Sequence, residues 1–266
     1  MAHKARKRFG QNFLHDQHII DNILGSLFYS QGQHWVEIGP GQGALTEPLL
    51  SSGVQLDVVE LDRDLVRLLG YKFEQYDNLT IHSSDALKFD FSSLAQDDEK
   101  LHILGNLPYN ISTPLMFHLL ENTPRIADMT FMLQKEVVDR ICAGPGSKKY
   151  GRLSIMMQYY CATEHLFDVP PESFNPTPKV MSSIVRLEPH AEPPVIIDSV
   201  KILNTVVTTA FSQRRKTLRN SLKKLITETD IIALDINPTL RAETISLQDF
   251  AKLSQYINQH PLEETL

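Results

Sequence analysis

Only two cysteines, Cys142 and Cys161, occur in 266 residues, and neither belongs to a CxxC pair or a cysteine–histidine cluster. That scarcity excludes a disulfide framework and offers no zinc-binding spacing, so both thiols are expected to be reduced and structural, with no metal site. Also missing is an uninterrupted apolar run of membrane-spanning length. The basic start, Lys4, Arg6, Lys7 and Arg8, leads into polar Gln11 and Asn12 without the apolar stretch of a signal peptide. A cytoplasmic location and no membrane partner are the expectations. What is present, 42% hydrophobic and 22% charged residues, is enough for a sizeable core and excludes disorder, collagen and coiled coil as descriptions of the whole chain. The length allows one large domain with a small companion.

A net charge of -6 argues, taken alone, against a nucleic-acid partner. Local distribution matters more, because phosphate attraction is screened within about 10 Å. One basic cluster is the N-terminal set just named; the other is Arg214, Arg215, Lys216, Arg219, Lys223 and Lys224, in a segment from Ser212 to Lys224 that contains no acid. A charge run is ordinarily a solvated helix face. Cations without a compensating acid, in an acidic chain, point instead to RNA phosphate contact.

No internal repeat is visible, and the first two thirds alternate short apolar runs with helical spacing. Strands are predicted at Trp35 to Ile38, Leu56 to Glu60, Leu79 to His82, His102 to Gly105 and Met129 to Leu133, with later ones at Glu164 to Phe167 and Ser182 to Leu187. Crossover helices are predicted at Leu45 to Leu50, Asp62 to Tyr71 and Pro114 to Glu121, and a further helix at Lys135 to Cys142. This alternation is the signature of a doubly wound α/β sheet, mostly parallel. After a proline-rich linker around Glu188 to Asp198, strand alternation ceases and helices are expected at Val200 to Phe211, Thr217 to Ile226 and Ser246 to Ile257. The expected domains are therefore residues 1–190, an α/β domain, and residues 191–266, a small helical one.

The strongest local feature is Glu37-Ile38-Gly39-Pro40-Gly41-Gln42-Gly43-Ala44, between a predicted strand and a predicted helix. Glycines serve where the backbone turns sharply and a ligand approaches the main chain. Gly39-x-Gly41-x-x-Ala44 fits a dinucleotide fingerprint, and Glu60, ending the next strand, stands where an acid binds a ribose diol. This spacing does not separate a nicotinamide from another adenosine cofactor. Asp85 could accept from an adenine amine, although a lone Asp after a strand is more often a helix cap. Asn106-Leu107-Pro108-Tyr109 is sharper. An adenine amine is a poor nucleophile because its lone pair is delocalised into the ring. The Asn106 side-chain oxygen and the Leu107 carbonyl could accept its two protons, Pro108 could fix the backbone, and Tyr109 could stack on the base. The plain alternative is a structural turn.

Taken together, these residues resemble the KsgA-type small-subunit ribosomal RNA adenine dimethyltransferases, within the class I S-adenosylmethionine-dependent methyltransferases. The resemblance runs through Arg8 to Leu14, Glu37 to Gly41, Glu60-Leu61-Asp62, Asp85, Asn106 to Tyr109, Gln134-Lys135-Glu136, Phe174 to Val180 and Arg214-Arg215-Lys216. It implies S-adenosylmethionine as cofactor, lined by Asn12 and Leu14, with Gly39 and Gly41 against its methionine portion, Glu60 on its ribose and Asp85 on its adenine. It also implies Asn106 serving cofactor and target base, and Tyr109 and Phe174 enclosing the target adenine. Two methyls on each of two adjacent adenines near the 3′ end of the rRNA, a partly assembled small subunit as partner, and a monomer are further implications. RNA contact is expected at Lys4, Arg6, Lys7, Arg8, Arg214, Arg215, Lys216 and Arg219.

Two other readings compete. A nicotinamide-dependent oxidoreductase accounts for the glycine loop and Glu60 but gives Asn106 to Tyr109 no role. A ribosome-assembly or RNA-binding factor that has lost catalysis accounts for the basic clusters but leaves Asn106 and Tyr109 without purpose.

Overall fold

The computed structural model describes residues 6, 10–109, 111–120 and 123–260. Along the chain lie β1 (Phe13–Leu14), α1 (Gln17–Ser26), β2 (His34–Ile38), α2 (Thr46–Ser51), β3 (Gln55–Glu60), α3 (Arg63–Lys72) and β4 (Leu79–Ser83). There follow β5 (Leu101–Asn106), α4 (Ser112–Leu120), β6 (Ile126–Gln134), α5 (Lys135–Ile141), α6 (Arg152–Tyr160), β7 (Cys161–Val169), β8 (Phe174–Asn175) and β9 (Ser182–Pro189). The last elements are α7 (Val200–Phe211), α8 (Leu218–Ser221), α9 (Glu228–Ala233) and α10 (Leu247–Gln259).

The chain divides into two compact units, residues 1–138 with 163–189, and residues 139–162 with 190–266. In the first, seven strands form one sheet in the order β4-β3-β2-β5-β6-β9-β7. Strands β4 to β6 are mutually parallel, and β9 runs antiparallel to β6. All five residues of β2 are buried, as is natural for a central strand covered on both faces. Asp16 caps α1 by accepting from the His18 and Ile19 N–H groups, and the helix turns Ile19, Ile20 and Ile23 inward. Asp62 caps α3, whose Leu65 and Leu69 are buried. A separate two-stranded ribbon pairs β1 with β8.

In the second unit α7 packs against α6 and α10. Leu203, Val206, Val207, Phe250 and Leu253 form its centre, and the Phe211 ring stacks on Phe250 at 5.9 Å. Residues 139–162 cluster with this unit, so compactness does not follow a single division at residue 190. The reason is α6, an apolar helix whose Leu153, Ile155, Met156, Met157 and Tyr159 are buried. The helix expected at Thr217 to Ile226 is shortened to α8, because Thr217 is drawn into a bridge with Arg241 and the chain after Ser221 forms turns.

Candidate active site

The carboxyl ends of β2, β3 and β5 and the loop after β4 open on one cavity of about 190 Å³. It lies where the strand order reverses, with β3 on one side of β2 and β5 on the other. Loops leaving a parallel sheet diverge at such a point and leave room for a ligand. Asn12, Leu14, Gly39, Gly41, Glu60 and Asp85 all line it. So do Asn106, Leu107, Pro108 and Tyr109.

The backbone explains the glycines. Gly41 has φ +58°, and a Cβ there would stand 3.0 Å from the Phe13 ring, so this wall is bare main chain. Gly105 precedes Asn106, and a Cβ would meet the Ile38 carbonyl oxygen at 2.5 Å. Only glycine lets β5 approach β2 closely enough to seat Asn106 beside the glycine loop.

Polar groups are held individually. The Glu60 carboxylate is buried and accepts the Asp62 N–H at 2.8 Å, while burial pushes its pKa above the ordinary carboxylate range. Asp85 accepts the Leu87 N–H at 3.0 Å, so it organises a turn and faces the cavity as well. The Asn106 amide nitrogen donates to the Asn12 carbonyl at 3.1 Å, so the acceptor oxygen is the end offered to a ligand. The Ile111 N–H donates to the Pro108 carbonyl and closes the turn bearing Tyr109, whose hydroxyl lies 2.8 Å from Ser182 Oγ. Burial raises that phenol's pKa. Glu37, buried in the same wall, accepts from the Thr46 hydroxyl, and desolvation raises its pKa to about 7.

Phe174 and Arg6 do not line this cavity. Phe174 is 2% exposed, packed in the apolar core opposite Leu14 through the β1–β8 pairing, and is not part of the cavity wall. Through Leu14, its partner in that pairing, it adjoins a residue that lines the cavity. Arg6, expected on RNA phosphate, pairs with Asp62 at 2.9 Å and with Asp64, while its main-chain N–H donates to Gln11. Lys4, Lys7 and Arg8 lie outside the described residues. Arg214, Arg215, Lys216 and Arg219 are exposed on the second unit. Acids from distant segments nevertheless reach two of them, Glu243 to Arg214 at 3.7 Å and Glu228 to Arg219 at 2.9 Å. Sequence reasoning missed Ser182, which follows the proline-rich motif but carries no local signal of its contact with Tyr109.

A mostly parallel seven-stranded sheet, with its site at the carboxyl strand ends, an acid closing β3 and Asn-Leu-Pro-Tyr leaving β5, defines a class I methyltransferase. The family described as ribosomal RNA adenine dimethylase matches residues 2–259. Ribosomal RNA small subunit methyltransferase A of Pseudomonas aeruginosa is 58% identical over 259 residues, covering 97% of each chain. Its counterpart from Hahella chejuensis is 55% identical over 263 residues, 99% of this chain and 96% of that one. Among solved structures, a dimethyladenosine transferase from Plasmodium falciparum superposes with a TM-score of 0.80 at 27% identity, covering 92% of this chain and 97% of that one. This chain belongs to the ribosomal RNA adenine dimethylase family, whose members are S-adenosylmethionine-dependent methyltransferases. The nicotinamide reading falls with that membership.

Proposed function

We propose that the protein dimethylates two adjacent adenines near the 3′ end of small-subunit rRNA, within a partly assembled subunit in the cytoplasm, and acts as a monomer. The observation that carries the assignment of roles is the convergence of Glu60, Asp85, Asn106 and Tyr109 on one cavity. The cavity's chemistry fits S-adenosylmethionine: bare main chain at Gly39 and Gly41 suits the methionine portion, the Glu60 carboxylate suits a ribose diol, and Asp85 suits an adenine amine. The cofactor supplies a methyl group already activated on a sulfonium, which leaves the protein with alignment and exclusion of water. Asn106 Oδ1 and the Leu107 carbonyl accept the protons of the target amine and favour the form whose lone pair is available. Tyr109 presents its ring to the base, a contact that tolerates an extruded nucleotide.

The second unit supplies the phosphate-binding surface in this reading. Arg215 and Lys216 are exposed there, and Arg214 and Arg219 exchange Glu243 and Glu228 for RNA. The proposal thus assigns catalysis to residues 1–190 and RNA binding to residues 191–266.

Paired variants test the roles. Glu60→Ala is expected to weaken S-adenosylmethionine binding by about ten- to a hundredfold in calorimetry and to leave RNA binding unchanged. Asn106→Ala is expected to lower methyl transfer by about 100-fold or more. Unchanged cofactor affinity in the first, or near-normal turnover in the second, overturns the corresponding role.

A further inference from the structure

The motif Gln134-Lys135-Glu136 and the segment Val180 to Ser183 have no part in the roles above, yet the fold brings them together behind Tyr109. Strand β9 begins at Ser182, paired in register with Gln134 at the end of β6. The Lys135 N–H donates to the Met181 carbonyl at 3.0 Å, closing that pairing one residue further on. Side chains then lock the same corner. Lys135 Nζ lies 2.9 and 2.8 Å from the two Asp168 carboxylate oxygens. Asp168 also accepts from Ser183 Oγ at 2.6 Å and faces His165 Nε2 at 2.9 Å. Ser182 and Ser183 are fully buried, so neither has room to turn to solvent. The link from this corner to the cavity wall is the Ser182 hydroxyl, 2.8 Å from the phenol of Tyr109, which lines the cavity.

We propose that Ser182 is a positioning residue for methyl transfer, holding the Tyr109 ring in the place from which it can stack on the target adenine, and that the Lys135–Asp168–Ser183 clamp fixes Ser182 in turn. The proposal rests on the reading that Tyr109 stacks on the target base. A phenol tethered at its hydroxyl keeps the axis of its ring in one direction, whereas an untethered ring samples other side-chain rotamers and stands away from the base part of the time. Lys135 and Asp168 act at one remove, through the start of β9, and touch no reacting atom.

A double-mutant cycle on the full-length protein, with unmethylated small subunits and S-adenosylmethionine, separates this from a structural role. Ser182→Ala and Tyr109→Phe are each expected to lower kcat/KM for the subunit by about tenfold while cofactor affinity stays within twofold of wild type. Because both remove the same tether, the double variant is expected to be no worse than either single one. Lys135→Met is expected to reproduce the Ser182→Ala defect in milder form. Multiplicative losses in the double variant overturn the proposal, as does a Ser182→Ala protein whose cofactor affinity falls with its turnover. Tyr109→Ala serves as the control for the underlying reading. If it abolishes turnover while Ser182→Ala and Tyr109→Phe have no effect, stacking stands and positioning falls; if it is itself harmless, both fall.

Discussion

Glu37 shows how one residue couples the site to stability. Its carboxyl is buried beside Glu60, and desolvation holds its pKa at about 7 against an ordinary value of 4.5. Between those values the folded protein keeps a proton that the unfolded chain has lost, so this contribution to stability is present at low pH and disappears as pH rises through about 7. Glu37→Gln keeps an acceptor for Thr46 and removes the charge. The variant is expected to lose less stability than wild type between about pH 5 and pH 8, the difference reaching up to about 3 kcal/mol. Denaturation at several pH values checks this; parallel curves contradict it. His34, whose pKa is raised chiefly by its hydrogen bond to Asp57, also loses stabilisation as pH rises, but equally in both proteins. The placement of single residues was legible where it depended on neighbours in sequence, as in Asn106 to Tyr109, all of which line the cavity. The burial of Phe174 was not legible, because it depends on Leu14, far away along the chain.

Among the elements, β6 carries an identifiable flaw. Thr130 is buried between β5 and β9, and its hydroxyl has no hydrogen-bond partner among the described residues. Thr130→Val replaces that hydroxyl with a methyl of similar shape and is expected to raise stability by about 1 kcal/mol, seen as a higher denaturation midpoint with unchanged slope. A lower midpoint contradicts the account. Strands β2, β3, β5 and β6 were legible because buried parallel strands are short apolar runs bounded by turns. Helix α6 was not, since burial on nearly every side leaves it no polar stripe. Helix α8 was overestimated for the opposite reason: spacing alone does not register the Thr217–Arg241 bridge that competes with it. The ribbon β1–β8 is two residues on each side, too short for any periodic signal.

For the molecule as a whole, distribution of charge outweighs its sum. Arg6 pairs with Asp62 and Asp64, whereas Arg215 and Lys216 are exposed on the second unit, where the proposal places phosphate contact. Replacing Arg215 and Lys216 with Ala is expected to flatten the slope of log affinity against log salt by about 1.4 to 1.8, while Arg6→Ala leaves the slope unchanged. Titrations of RNA at several salt concentrations decide this, and an identical slope for the first variant returns that surface to a solvated face. Catalysis on rRNA is the central claim, and identification of the product tests it most directly. Unmethylated small subunits are incubated with the protein and methyl-labelled S-adenosylmethionine, and the digested RNA is resolved into nucleosides. Label is expected in N6,N6-dimethyladenosine from two adjacent positions near the 3′ end, and is expected to vanish with Asn106→Ala. Bound cofactor with no label in the RNA, or label in any other nucleoside, contradicts the account.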